Sequence, residues 1–320
     1  MTGGSKGVIL LNMGGPDCLD NVRPFLFNLF SDREIIKLGP PFLQKYIAWY
    51  IARKRAPKSR AIYAGIGGGS PLENITRAQA KALELSLAKH GEYHVTIAMR
   101  YWPPYPEHAL TELDAKGVND ITALSLYPHY SRATTGSSIK QLQKSISNFP
   151  GDFKANFISF WPTQQSYIQA LGENILEAIE TFGAESVQVV YSAHSLPTSF
   201  IMEGDPYVEH LNQTIKEVEK LTGYKGLLCY QSRSGPVEWL SPSTPETLDR
   251  LASNGCKNVV MVPLSFVSDH VETLYEIDIL YKNRAQNLGM TLRSSNSLNT
   301  KNKFIEGLRD LVLEQRDFVV

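Results

Sequence analysis

Two periodicities alternate along this chain, and that alternation limits its fold more than any other feature. Short apolar and β-branched runs recur at Gly7–Asn12, His94–Arg100, Asp120–Leu126, Asn156–Trp161, Val187–Ser192, Gly226–Tyr230, Asn258–Leu264 and Met290–Arg293. Helical patterns lie between them, clearest at Glu73–His90, Gln165–Thr181, Tyr207–Leu221 and Phe304–Glu314. Strands that alternate with helices predict an α/β fold built on a doubly wound parallel sheet. At 320 residues the chain has the length of about two domains. Eight strands divide into four and four, with the boundary placed near Trp161-Pro162-Thr163.

A weak internal repeat agrees with that division. Pro106-Glu107 opens a helical stretch, Gly117 closes it and a strand follows from Asp120. Pro245-Glu246, Gly255 and the strand from Asn258 repeat the order. Any helix–glycine–strand unit looks alike, so coincidence stays open at this level.

Charge and cysteine content exclude several classes of function. Lys and Arg number 32, as do Asp and Glu, so the chain lacks the basic excess of a nucleic-acid binder. Three widely spaced cysteines (Cys18, Cys229, Cys256) provide neither a disulfide framework nor the four ligands of an iron–sulfur cluster. The first apolar run, Val8-Ile9-Leu10-Leu11, is too short for a signal-peptide core, and no segment approaches 18 apolar residues. The expectation is a cytoplasmic protein, at most peripheral on a membrane.

In parallel sheets ligands bind beyond the carboxyl ends of the strands. Those positions carry Asn12-Met13-Gly14-Gly15-Pro16, Arg100-Tyr101-Trp102, Tyr127-Pro128-His129-Tyr130-Ser131, Ser192-Ala193-His194-Ser195-Leu196-Pro197, Gln231-Ser232-Arg233 and Ser265 to Glu272. His129, His194 and His270 fall in these segments, whereas His90, His94, His108 and His210 read as helix-end or surface residues. If a helix begins at His270, Glu272 and Glu276 stack at i and i+4 and repel unless cations or protons visit. A solvated helix face behind an Asp269 N-cap explains them equally well. His194 reads either as a satisfied turn residue or as a base or metal ligand opposed by Glu272 across a cleft. No GxSxG elbow supports a hydrolase triad. Gly67-Gly68-Gly69-Ser70-Pro71 lacks the lysine of a phosphate loop and reads as a flexible loop before a capped helix. Leu38–Ala52 is apolar nearly all round and runs into Arg53-Lys54-Arg55. It is either a buried helix with a basic end or an apolar lip for a membrane or a greasy ligand.

Six of these segments, in this order, resemble the ferrochelatase family. They are Leu11 to Pro16, Gly67 to Pro71, Tyr127 to Ser131, Ser192 to Pro197, Gln231 to Pro236 and Ser265 to Glu276. The resemblance implies an enzyme that inserts Fe(II) into a porphyrin, with iron and porphyrin as substrates. It implies two Rossmann-like lobes, each a four-stranded parallel sheet flanked by helices, with the porphyrin between them. The expected division is 1–162, 163–298 and a helix at 299–320 returning to the first lobe. Carried over by position, His194 and Glu272 match the metal-insertion pair, and His270 and Glu276 match neighbours on an acidic helix with a π-type turn. Met13, Arg100, Tyr101, Tyr130 and Ser131 match porphyrin contacts. Residues 38–55 resemble the lip, where peripheral membrane contact is expected.

The chain also departs from the family pattern. Leu280 stands where many relatives carry a further carboxylate, and Arg132 stands where animal-type relatives place a cluster cysteine. With the end at Val320, the expectation is no iron–sulfur cluster and no tightly bound cofactor. Coproporphyrin-type relatives tend to carry Tyr where this chain has Met13, which favours protoporphyrin IX. Coproporphyrin III and a cobaltochelatase of the same fold are the alternatives.

Overall fold

The computed structural model describes residues 5–233, 235 and 237–314. Ser234 and Pro236 of the sixth-strand motif lie outside the described residues, as do 1–4 and 315–320. The described chain forms two compact units, one of residues up to 160 together with the stretch from Ile305, the other of 161–304.

The first unit contains β1 (Lys6–Asn12), α1 (Val22–Ser31), α2 (Gln44–Ala64), α3 (Leu72–Leu87), β2 (Tyr93–Met99), α4 (Pro106–Asp114) and β3 (Asp120–Ser125). A single π-helical turn, Arg132–Gly136, follows, then α5 (Ser137–Asn148) and β4 (Lys154–Ile158). The second contains α6 (Gln165–Glu180), β5 (Gln188–His194), α7 (Thr198–Met202), α8 (Tyr207–Thr222), β6 (Gly226–Gln231), α9 (Thr244–Ser253) and β7 (Asn258–Pro263). A π-helical run Glu272–Tyr281 leads into α10 (Lys282–Asn287) and β8 (Thr291–Ser294); α11 (Asn302–Glu314) follows and from Ile305 onward belongs to the first unit.

Both sheets are wholly parallel and share one topology, β2-β1-β3-β4 and β6-β5-β7-β8. The internal repeat is therefore structural. Gly117 and Gly255 both adopt left-handed φ, at 70° and 78°, after α4 and α9, which is the helix-ending conformation glycine adopts without steric cost. Both helices also open with a capping box, Tyr105 with His108 and Ser243 with Glu246.

Why the central strands are continuous apolar runs follows from burial. Every residue of β1 after Lys6 is buried, and so is all of β7, as expected for parallel strands covered on both faces. In the first unit Ile9, Leu11, Leu110, Leu113, Ile121 and Leu142 share one core cluster. In the second, Val190, Leu248, Val259, Met261, Ile277 and Tyr281 do so. Ile277 and Tyr281 belong to the π-run, so burial of its apolar face fixes its rotation.

Several expectations change on the structure. The fourth strand ends at Ile158, not Trp161; the Trp161 ring leaves the sheet to meet Tyr167 edge-on at 5.1 Å and Phe304 at 6.0 Å. His210 is buried within α8, with burial holding its pKa below the usual histidine value and Glu209 and Asp205 opposing. The helix over 44–64 is not buried all round: Gln44, Ala48, Ala52, Ala56 and Tyr63 turn inward and the rest keeps accessible surface. Among the described residues no helix is long and apolar enough to cross a membrane.

The glycine loop at 67–69 packs against backbone. Ser70 N donates to the Pro16 carbonyl at 2.7 Å, and a Cβ at Gly69 would sit 2.3 Å from the Asp17 carbonyl oxygen. Gly15 and Gly69 thus let the two loops touch, at Ser70 and at the Asp17 carbonyl. Gly69→Ala should lower stability by about 1–3 kcal/mol because the contact is with backbone that must shift. Urea unfolding of the two proteins checks this, and an unchanged midpoint refutes the contact.

Candidate active site

β5 ends at His194, and its neighbour β7 leads through 264–271 into Glu272. Leu264 N bonds the Ser192 carbonyl at 2.9 Å and carries the ladder one step past β7. The two side chains therefore meet on a single unit. His194 Nδ1 lies 2.8 Å from Glu272 Oε1. The expectation of a pair opposed across a cleft is corrected: they are hydrogen-bonded partners at the carboxyl end of one sheet.

The His194 backbone is held by a closed ring of hydrogen bonds. Its N–H donates to Ser265 Oγ at 2.7 Å, and the Tyr207 hydroxyl donates to its carbonyl at 3.0 Å. Tyr207 has one proton, so the 2.7 Å contact between Ser265 Oγ and Tyr207 Oη has Ser265 as donor. The His194 ring keeps 36% of its side-chain surface accessible. Its Nε2 has no protein partner among the described residues and is the free edge of the ring.

Glu272 is enclosed more tightly. Its Oε2 accepts from Gln231 Nε2 at 2.9 Å and lies 3.9 Å from His270 Nε2. His270 is itself buried against Phe266, with ring centroids 4.0 Å apart. Its Nδ1 donates to the Ser268 carbonyl at 3.0 Å, which leaves the buried Nε2 without a hydrogen-bond partner. An orphaned buried nitrogen beside a carboxylate is costly unless a visitor satisfies it.

The run that carries the acids is π-helical, not α-helical. At its end Lys282 N donates to the Ile277 carbonyl, five residues back. Glu272 and Glu276 are each held by one of two consecutive residues at the carboxyl end of β6. Gln231 serves Glu272, and Ser232 Oγ donates to Glu276 Oε2 at 2.7 Å. Ser232 adopts φ 64°, a left-handed backbone unusual outside glycine; that strain sits where the hydroxyl must face Glu276. The alternative of a solvated helix face fails for both acids. Leu280 is half exposed, whereas Glu276 is half-buried, as is Asp278 further along, whose pKa burial raises and whose carboxylate accepts from Ser294.

These contacts spread the ionisation of the site. Burial alone would raise Glu272, but the charge and hydrogen bond of His194, joined by His270, hold it well below the ordinary carboxylate range. Burial would lower His194, yet Glu272 and then Glu276 hold it above the ordinary histidine value. The imidazole is thereby a stronger base than an isolated histidine. Glu276 is pushed up to about 7 by burial and by the Glu272 charge.

On the first unit, the expected porphyrin contacts separate into two groups. Met13, Arg100 and Tyr130 keep accessible surface, whereas Tyr101 and Ser131 are buried. Ser131 Oγ caps the π-turn by accepting from Ala133 N at 3.3 Å. Arg100 is paired with Asp32, which sequence reasoning missed. Asp32 Oδ2 accepts from Arg100 Nη2 at 2.9 Å, Tyr101 Oη at 2.7 Å and Ser137 Oγ at 2.5 Å. Burial opposes its charge, but Ser137 and Arg100 hold its carboxyl below the usual value. The pair borders a cavity of about 510 Å³ that also contains Lys45 and Glu107. A second cavity, about 860 Å³ around Gln188, Arg250 and Asn258, opens at the amino end of the other sheet and holds none of the expected site residues. Among the described residues no group of three or more His, Cys, Asp or Glu is arranged as a metal cage.

The family model of ferrochelatase matches residues 5–316. The chain is 62% identical over 308 residues to a ferrochelatase of Desulfotalea psychrophila, covering 96% of each. It is 52% identical to one of Geotalea uraniireducens, covering 95% of this chain and 96% of that one. The chain belongs to the ferrochelatase family. Its fold is shared with SirB from Bacillus subtilis, solved with Fe3+, at a TM-score of 0.57 and 12% identity, covering 98% of this chain and 96% of that one. SirB from the subspecies spizizenii, a sirohydrochlorin chelatase solved with cobalt, gives 0.53 at 11% identity and covers 98% and 95%. At such identities the likeness concerns fold alone: two four-stranded parallel sheets flanked by helices.

In this ferrochelatase-family chain, sequence reasoning missed Gln231 and Tyr207 as well as Asp32. Gln231 stood in a matched motif, but only the sheet order places β6 beside β5. Tyr207 carried no signal at all.

Glu276 has a folded-state pKa above its unfolded value of 4.5, near 7. Its contribution to stability is full below the unfolded value and is lost as pH rises through 7. Glu276→Gln should therefore flatten the fall in stability between pH 5.5 and 8.5, by on the order of 1–3 kcal/mol. Denaturant titrations of the metal-free proteins at both pH values test this; equal slopes would contradict the burial of an acid there.

Proposed function

We propose that this chain inserts Fe(II) into protoporphyrin IX, with His194 as the proton acceptor and Glu272 as its charge partner. Insertion of ferrous iron into a porphyrin, a lyase reaction of haem synthesis, is the activity of the family. The observation that carries the residue roles is the 2.8 Å contact of His194 with Glu272. Two pyrrole N–H protons must leave for one Fe(II) to enter, so the reaction needs a base and an exit for protons. An anionic Glu272 accepting from Nδ1–H sets the imidazole tautomer and leaves the Nε2 lone pair to take a proton. Glu276, titrating near neutrality, is the proposed next station for protons leaving His194. The orphaned His270 Nε2 and the Glu272 carboxylate 3.9 Å from it are the proposed points at which iron sheds water.

Met13, Arg100 and Tyr130 are the proposed porphyrin contacts, with Tyr101 and Ser131 shaping the wall behind them. Arg100 is already balanced by Asp32, so a propionate would be oriented by its remaining N–H groups more than attracted by net charge. Iron enters as a substrate, and the proposed chemistry draws on no resident cofactor. Met13 supports protoporphyrin over coproporphyrin.

His194→Ala should lower the insertion rate by about 10²–10⁴-fold while porphyrin affinity stays within a few-fold. Glu272→Gln should lower the rate with unchanged unfolding temperature. Anaerobic assays with Fe(II), with protoporphyrin and coproporphyrin in parallel, decide both points; wild-type turnover in either variant removes that residue from the chemistry.

The 38–55 segment supports a second reading, contact with a membrane surface. Phe42 and Tyr46 are 74% and 75% exposed, and Trp49 and Tyr50 about half. Arg23 and Arg53 lie over the Trp49 ring and Lys54 over Tyr50, at 4.9–5.5 Å. Exposed aromatics backed by cations suit an interface with anionic lipid. Co-sedimentation with phosphatidylglycerol vesicles should drop at least several-fold in a Phe42→Ser, Tyr46→Ser, Trp49→Ser triple variant; equal binding would reject this surface.

A further inference from the structure

We propose that Gln231 is a positioning residue for the reaction: it fixes the rotation of the Glu272 carboxylate so that Oε1 faces His194. The proposal rests on Glu272 taking part in metal insertion, as argued above.

A carboxylate has two equivalent oxygens and turns freely unless both are held. Here His194 holds Oε1 at 2.8 Å and Gln231 Nε2 holds Oε2 at 2.9 Å. The amide is itself held from behind. Ser192 Oγ donates to Gln231 Oε1 at 2.5 Å and lies 3.5 Å from Thr244 Oγ1. Donors therefore run in one direction, from Ser192 through the amide to the carboxylate. Reversing the amide would turn its carbonyl oxygen toward an anion, which the burial of the group makes costly. Gln231, Ser192 and Thr244 are 5%, 2% and 0% exposed, so water does not compete for these bonds. The Gln231 carbonyl also accepts from Ser195 N at 2.9 Å. One residue thus restrains the chain just after His194 and the acid that partners it.

The side-chain chemistry explains why an amide stands there. Leucine would fill the same space and leave Oε2 without a donor. Glutamate would place a second anion against the first. Only a neutral side chain with an acceptor at one corner and a donor at the other serves a hydroxyl and a carboxylate together. A purely structural role for Gln231 predicts lower stability and no selective effect on turnover. A positioning role predicts a fall in kcat at constant KM for porphyrin.

The test is steady-state kinetics of Q231L, Q231E, S192A and the S192A/Q231L double variant, with protoporphyrin and Fe(II) under anaerobic conditions. E272Q is measured alongside, and unfolding temperatures confirm folding. The expected result is a fall in kcat of about 10–100-fold for Q231L and Q231E, with porphyrin KM within about two-fold. S192A should show a smaller fall of the same kind. The double variant should match Q231L alone, because Ser192 acts through the amide. A kcat within about two-fold of wild type for folded Q231L or Q231E, alongside an impaired E272Q, overturns the proposal and leaves the active-site reading standing. So does an additive double variant. Wild-type turnover in E272Q overturns the active-site reading itself. If Q231L does not fold, the isosteric Q231E and the buried S192A decide the same question.

Discussion

An imidazole hydrogen-bonded to a carboxylate at the carboxyl end of a parallel sheet is the interaction around which the second unit is arranged. Neither His194 nor Glu272 could be buried in its charged form alone, since an isolated buried ion is expensive. Together they stabilise each other, and the surrounding residues supply the remaining donors. Gln231 takes the outer carboxylate oxygen, Ser265 and Tyr207 take the His194 peptide, and Ser232 takes Glu276. The effect is to separate three ionisations that would lie close together in water. Glu272 stays anionic, His194 becomes a stronger base, and Glu276 titrates near neutrality. Acid–base chemistry at neutral pH needs that kind of separation.

The π-helical run makes this arrangement possible within a short stretch. It begins at Glu272, immediately after the loop that leaves β7, and keeps Ile277 and Tyr281 in the core. Its wider turn lets Glu272 and Glu276 face the residues that follow β6 while the apolar side stays packed. A second, single π-turn follows β3 in the first unit. There it is capped by Ser131 and leads into α5, whose first residue, Ser137, joins Arg100 and Tyr101 on Asp32. Equivalent places in the two repeats thus use the same local device, one beside the paired acids Glu272 and Glu276 and one beside a paired arginine. π-Turns are rare, and both occur beside polar networks.

Burial shows how far the first-unit contacts inferred by resemblance can be taken literally. Ser131 sits in a matched motif and Tyr101 at a matched position, but both are enclosed, and they hold Arg100 and the turn after β3 through Asp32 and Ala133. The glycine motifs at 14–15 and 67–69 are equally structural. Gly69 permits an approach to the Asp17 carbonyl that a Cβ would block, Gly15 lies against the Ser70 side chain, and Gly14, Gly67 and Gly68 adopt left-handed φ.

Sequence alone determined the parallel α/β class, the eight strands, the repeat and the family, because burial on both faces forces continuous apolar runs and left-handed helix ends force glycine. It also named His194, Glu272, His270 and Glu276, because strand ends in such sheets are where polar residues can collect. Tertiary structure alone decided that His194 and Glu272 touch, that Gln231, Tyr207 and Asp32 belong to the polar networks, and that the π-helical geometry runs from Glu272 to Tyr281. Those facts depend on which strands lie side by side and on how a helix rotates to bury Ile277 and Tyr281. Both are set by contacts between residues tens of positions apart, and no local pattern of residues records them.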